Sequence, residues 1–138
     1  MTFNRLAMRT ELTRDEGLRL KPYLDTVGKT TIGVGRNLSD RGITQAEADL
    51  LLNDDIDLCE HELDQHAAWW RQMADPRQRA ILNMCFQLGW GGLSGFKNTL
   101  ALLESGKYAQ AADNALKSLW ARQVPERAKR VTDMLRNG

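Results

Sequence analysis

Residues 18–39 restrict the fold of this 138-residue chain most, because they read as strand and turn while nearly everything around them reads as helix. Leu18-Arg19-Leu20-Lys21-Pro22-Tyr23-Leu24-Asp25 and Thr30-Thr31-Ile32-Gly33-Val34-Gly35 flank the tetrapeptide Thr26-Val27-Gly28-Lys29. The pattern predicts two short strands around a turn at Gly28. The second run is β-branched and rich in glycine, as expected where another backbone or a ligand comes close. A third short strand or turn is expected from Arg36 to Ser39. So little strand gives only a small sheet, and helices must supply most of the core.

The helical signals lie on both sides of that segment. Met8, Leu12 and Glu16 are spaced i, i+4, i+8 on one helix face, and Gly17 supplies a stop. Glu16 then sits at the C-terminal end of its helix, the unfavourable side of the helix dipole for a carboxylate. Such local conflicts concentrate at functional sites. Thr44-Gln45-Ala46-Glu47 is a capping box. It opens a long helix over 44–65, with Leu52, Ile56, Cys59 and Leu63 on one side and Asp49, Asp54, Asp57, Glu60 and Asp64 on the other. Pro76 starts a buried helix that Gly89 ends, and Gly91-Gly92 with Ser94-Gly95 reads as a flexible connection. Helices follow near 96–104, 107–119 and 125–136, broken at Gly106 and Pro125. The expected architecture is α+β in a single domain over 1–138. A small β-containing N-terminal lobe, 17–43, is joined by the helix 44–65 to a helical C-terminal lobe, 76–138.

Composition excludes several classes of function. Hydrophobic residues make up 42% and charged residues 27%, which is ordinary for a globular protein. A net charge of +1 gives no global field to draw in nucleic acid. The basic end formed by Arg122, Arg127, Lys129, Arg130 and Arg136 is either a solvated helix or a local attraction for an anionic polymer. Cys59 and Cys85 make no disulfide framework and read as free thiols, Cys85 within an apolar run. His61 and His66 sit near Cys59, Glu60 and Glu62, but their spacings do not place them on one helix face, so no metal site is expected. Gly33 and Gly35 lack the following helix that a phosphate-binding loop needs. Trp69, Trp70, Trp90 and Trp120 weigh more as packing residues than as sugar platforms. No stretch is long and apolar enough for a membrane span, and the first ten residues lack a signal-peptide core. The expectation is synthesis in a cytoplasm, without export by this sequence alone.

Glu16, Asp25 and Thr31 carry the candidate chemistry. A hairpin can set Asp25 beside Thr31, and the helix end can present Glu16. Glycoside hydrolysis needs a protonated carboxyl for the leaving oxygen and an ionised one on the opposite face of the sugar. A hydroxyl beside the second carboxylate can hold the attacking water. Spacing alone is weak support in a chain with 18 acidic residues.

The order of motifs adds much more. Asp15-Glu16-Gly17-Leu18-Arg19-Leu20-Lys21, Tyr23, Asp25-Thr26, Gly28 and Thr31-Ile32-Gly33-Val34-Gly35 resemble the active-site segment of the phage lysozymes, or endolysins, of the T-even type. Ile43-Thr44 with Glu47-Ala48, Asn53 and Asp55 resembles that family's inter-lobe helix. Ala80-Ile81-Leu82-Asn83-Met84, Phe86-Gln87, Gly95-Phe96, Ala111-Ala112, Asn114 and Arg127-Ala128-Lys129-Arg130-Val131 resemble its helical lobe.

The resemblance implies a lysozyme-like fold and a muramidase that cuts the β-1,4 bond between N-acetylmuramic acid and N-acetylglucosamine. It implies Glu16 as general acid, Asp25 as second carboxylate and Thr31 as catalytic threonine. Substrate-cleft positions fall on Asn37, Phe86, Thr99 and Asn114, with Gln87 close by, and Arg127 matches a cationic residue that reaches the acid from the far lobe. It implies no cofactor, no metal and no nucleic-acid partner. The expected partners are a peptidoglycan glycan strand and a holin-like membrane pore. The protein would be a monomer, made in the host cytoplasm and acting at the cell wall or periplasm after permeabilisation, so causing host cell lysis. Besides differences at its two ends, the sequence departs from the family in three internal places. Asn37 replaces a usually apolar residue, the stretch between Ser39 and Gly42 is short, and Arg36 stands where the family has a histidine facing the position of Asp55. A lytic transglycosylase and an inactive glycan-binding module are the alternatives; a second carboxylate together with the threonine argues against both.

Overall fold

A computed structural model describes residues 1–138, and the chain divides into two compact units, Met1–Asp49 and Leu50–Gly138. Its α+β character agrees with the sequence pattern: eight helices and one three-stranded antiparallel sheet. The sheet lies wholly within the first unit.

In that unit α1, Arg5–Glu16, starts where the Asn4 side chain accepts from the Ala7 amide at 3.0 Å. It stops at Gly17, whose φ of 77° is open to glycine at little cost. Strands β1 (Arg19–Leu24), β2 (Thr30–Gly33) and β3 (Arg36–Asn37) are ordered β1-β2-β3. Tyr23 pairs with Thr31 and Leu24 with Thr30, but the register slips between Arg19 and Tyr23. Pro22 lies in that irregular stretch, where the absence of its N–H is tolerated. Thr31 and Ile32 pair onward with Asn37 and Arg36. The single turn α2, Leu38–Arg41, is capped by Asn37 and ends at Gly42.

The capping box forms as read: the Glu47 amide donates to Thr44 Oγ1 at 3.2 Å, and the Thr44 amide donates to Glu47 Oε1 at 2.8 Å. It opens α3, Gln45–His66. Arg36 joins this cap. Its Nη1 and Nη2 donate to the two Glu47 oxygens at 2.9 and 2.7 Å, and Nη1 also donates to the Gly42 carbonyl at 3.1 Å. The partner of Arg36 is therefore Glu47 and not Asp55, as the resemblance had implied. The reason is local: the one-turn α2 returns the chain at Gly42, so the first turn of α3 lies beside β3.

The second unit contains the rest of α3, a 3-10 turn over Ala68–Gln72, α4 (Asp75–Leu93), α5 (Lys97–Glu104), α6 (Tyr108–Leu116), α7 (Leu119–Gln123) and α8 (Pro125–Asn137). Gly89, at φ 68° and ψ 166°, kinks α4 where the sequence placed its end, yet Gly91 and Gly92 continue as helix to Leu93 instead of forming a flexible link. The expected helix over 107–119 ends at Leu116, and a short helix not expected from the sequence follows over Leu119–Gln123, where Ser118 caps its start by accepting from the Ala121 amide at 3.2 Å. The core gathers Leu63, Trp70, Ile81, Met84, Leu93, Val131 and Leu135. Ala111 and Ala112 of α6 and Ala128 of α8 are fully buried, and such small side chains let helices approach closely. Trp70 keeps its indole N–H satisfied on Asp64 at 2.7 Å. Arg77 donates to the carbonyls of Leu135 and Arg136 at 2.7 and 3.1 Å, closing the C-terminal end of α8.

The Arg36 guanidinium, with the Thr44 amide, holds the Glu47 carboxyl down at about 2. A carboxyl whose folded pKa is depressed adds stability that is full above its ordinary range and is lost as pH falls toward the folded value. Glu47→Gln should thus lower Tm at pH 7 by about 2–4 °C. Melts of both proteins should converge as pH falls from about 4.5 toward 2. A gap independent of pH would mean that the carboxylate charge is not what stabilises this corner.

Candidate active site

The first unit holds Glu16, Asp25, Thr31 and Asn37. Glu16 is the last residue of α1 and is exposed. Bare backbone lies against its carboxylate: a Cβ added to Gly35 would stand 3.0 Å from Glu16 Oε2 and 3.3 Å from Cδ. Gly35 has φ +66°, so both its conformation and its neighbour favour glycine. The glycine-rich run after Thr31 had signalled a close approach, and the Glu16 carboxylate is what comes close.

Asp25 and Thr31 meet through the backbone of one residue, Lys29, rather than directly. Asp25 Oδ1 accepts from the amides of Val27 at 2.9 Å and Lys29 at 2.8 Å, which closes the turn. The Lys29 carbonyl in turn accepts from the Asp25 amide at 2.9 Å and from Thr31 Oγ1 at 2.9 Å. Thr31 is 4% exposed on the central strand. Asp25 Oδ2 has no protein partner. One oxygen of the carboxylate thus fixes geometry while the other is open for chemistry. Thr31 gives its proton to Lys29 and keeps lone pairs that can accept from a water. Asn37 uses its whole amide to cap α2: Oδ1 accepts from the Asp40 amide and Nδ2 donates to Asp40 Oδ2, both at 3.0 Å.

The second unit holds Phe86, Gln87, Thr99, Asn114 and Arg127. Thr99, 1% exposed on α5, donates to Asn114 Oδ1 of α6 at 2.6 Å. Both line a groove of about 770 Å³ together with Phe96, Lys97, Lys117 and Trp120. Gln87 accepts from Trp120 Nε1 at 2.9 Å. Trp120 is buried, so its role is to orient Gln87 and not to stack on a sugar. Phe86 is 42% exposed and lines a second groove, of about 740 Å³, with Leu82, Asn83 and Arg127. Arg127 Nε donates to Asn83 Oδ1 at 2.9 Å, and Nη2 reaches the Asn83 carbonyl at 3.4 Å. Sequence reading missed Asn83 and Trp120 as orienting partners. Each acts on a residue more than thirty positions away, which no local pattern encodes.

Residues 13–136 match the family described as Phage lysozyme. The chain belongs to that family. The matched span runs from before Glu16 to beyond Arg127 and so covers every site position named above. Among relatives of this lysozyme-family chain, the "Pre-baseplate central spike protein Gp5" of Enterobacteria phage T4 is 31% identical over 161 residues. That alignment covers 96% of this chain, which therefore spans only 28% of the spike protein's length. "Probable T4-type lysozyme 1" of Dictyostelium discoideum is 28% identical, with 92% of each chain covered. "Probable T4-type lysozyme 2" of the same organism is 26% identical, covering 96% of this chain and 95% of its own. Membership implies glycosidase activity of the lysozyme kind, with peptidoglycan as the class of substrate.

Gly35 gives this site a sharp test. Gly35→Ala should displace the Glu16 carboxylate and lower turnover of peptidoglycan about 10²-fold or more. Gly33→Ala is the control: Gly33 has a similar φ of +69° but nothing within 4 Å of its added Cβ. Both variants carry backbone strain of about 1–2 kcal/mol, visible as similar losses in Tm. Equal turnover in the two would show that contact with Glu16 does not matter.

Proposed function

We propose that the chain is a muramidase that hydrolyses the β-1,4 bond between N-acetylmuramic acid and N-acetylglucosamine. Protonated Glu16 gives its proton to the glycosidic oxygen as that bond breaks. A water attacks the anomeric carbon from the opposite face, accepting no new charge because its proton passes to the open Oδ2 of Asp25. Thr31 Oγ1 accepts a hydrogen bond from that water and orients it. The observation that carries the reading is the asymmetry of Asp25, one oxygen held by two amides and the other free, beside a buried threonine hydroxyl. A water held by two groups favours inversion of the anomeric centre. Phe86, Gln87, Thr99, Asn114 and Arg127 are proposed as glycan contacts. Asn37 serves the glycan through the α2 cap it builds.

Glu16→Gln should melt like the wild type and lose about 10²–10⁴-fold in activity. Substantial lysis by the folded variant would remove Glu16 from its role. Product analysis of digested peptidoglycan separates the chemistries. A reducing muramic end marks hydrolysis; an anhydro end would mark a transglycosylase, and binding without cleavage a glycan-binding module.

The proposed setting is synthesis in a host cytoplasm, with action at the wall or periplasm once the membrane is opened by a holin-like pore, ending in host cell lysis. No helix of the chain is long and apolar enough to cross a membrane. Cells producing the chain alone should stay intact and lyse within minutes of adding a permeabilising agent. Turbidity measured before and after chloroform reads this directly, and spontaneous secretion through the ordinary export route would contradict it.

A further inference from the structure

The sheet sets one row of side chains across its three strands. Tyr23 of β1 is paired directly with Thr31 of β2, and Thr31 in turn with Asn37 of β3. Residues directly opposite each other in antiparallel strands point to the same face. The face that carries Thr31 therefore has Tyr23 at one end of the row and Asn37 at the other. Asn37 spends its amide on the α2 cap. Tyr23 is half-buried, and Arg19 lies over its ring, with Cζ 4.3 Å from the centroid. In the same unit Arg14, Lys29 and Arg36 have their charge met by Asp15, Asp40 and Glu47. Arg19 is exposed, and its one side-chain partner is the Tyr23 ring.

A guanidinium stacked on a ring is held by its face, which leaves the in-plane N–H donors at its edge unspent. Two such donors match the two oxygens of one carboxylate. The ring also fixes where the cation stands before any ligand arrives, which lowers the entropy cost of binding. We propose that Arg19, stacked on Tyr23, is a specificity residue that binds a free carboxylate of the peptidoglycan stem peptide. The sugars of an intact glycan carry no charge, because the lactyl carboxyl of each muramic acid is bonded to its peptide. The free carboxylates belong to the peptide. The inference rests on the muramidase reading for the place of the glycan: Thr31 holds the water, so the glycan passes over the face that Thr31 shares with Tyr23 and Arg19. Arg19 selects glycans that still bear stem peptides and takes no part in breaking the bond.

The test is calorimetric binding of soluble, uncross-linked peptidoglycan fragments to the full chain carrying Glu16→Gln, at low salt. One preparation keeps its peptide carboxylates. A second has them converted to methylamides, which removes the charge and keeps the peptide. The first should bind about 5–10-fold more tightly, and the difference should fade as salt is raised. Adding Arg19→Gln should abolish that preference without changing Tm, since Arg19 is exposed. Lys21→Gln removes the same charge from the same strand, away from the ring, and should keep most of the preference. Tyr23→Leu should weaken the preference and Tyr23→Phe restore it, because the ring and not the hydroxyl carries the cation. Equal or undetectable affinity for the two preparations would overturn the proposal. So would equal losses in Arg19→Gln and Lys21→Gln, which would mark a diffuse attraction to basic residues, or a loss in Arg19→Gln that is the same for both preparations. No readout uses bond cleavage, so failure here is distinct from failure of the muramidase reading, which the reducing muramic end decides.

Discussion

Arg36 and Glu47 make the interaction on which the first unit turns. The guanidinium binds both oxygens of one carboxylate and also a carbonyl at Gly42, so one side chain fixes a strand, a loop and the start of a 22-residue helix. The same carboxylate completes the capping box. Removing the arginine would leave Glu47 with its cap but no counter-charge, while removing the glutamate would disable both. β3 is only two residues long and has little ladder of its own. Its place beside β2, and through β2 the position of Thr31, therefore leans on this corner.

Much of the site was legible because it is encoded locally. A glutamate ahead of a glycine stop, an acid at a hairpin and a threonine on the returning strand all follow from patterns within twenty residues. The structure keeps those placements but changes how they are joined. Asp25 and Thr31 are held in common by the Lys29 backbone, whose part no side-chain motif announces. The histidine-to-arginine change at Arg36 was also visible, but its partner was not. Choosing between Asp55 and Glu47 required knowing how sharply α2 returns the chain. Likewise, the break between α6 and α7 was written in Ser118, a good N-cap whose signal the surrounding helical periodicity masked.

The second unit relies on polar residues that reach across its helices. Arg77 ends α8, Trp120 holds Gln87, and Thr99 holds Asn114. Every buried side-chain nitrogen and oxygen finds a partner. An apolar core lined with alanine fits helices together but leaves their rotation loosely set; directional bonds of this kind fix it. That is why residues with polar side chains in these grooves can be held still without being buried in ion pairs.

Arg127 shows what such holding implies for the residue itself. Asn83 engages Nε and Nη2, which leaves Nη1 without a protein partner. The planar guanidinium separates these duties in space: one edge is an anchor, the other a fixed donor of positive charge. A lysine carries its whole charge and all its donors on a single nitrogen, so it could be anchored or presented, but not both. Position 127 is thereby closed to the substitution that charge conservation alone would allow, and drift at this site is limited by the shape of the cation.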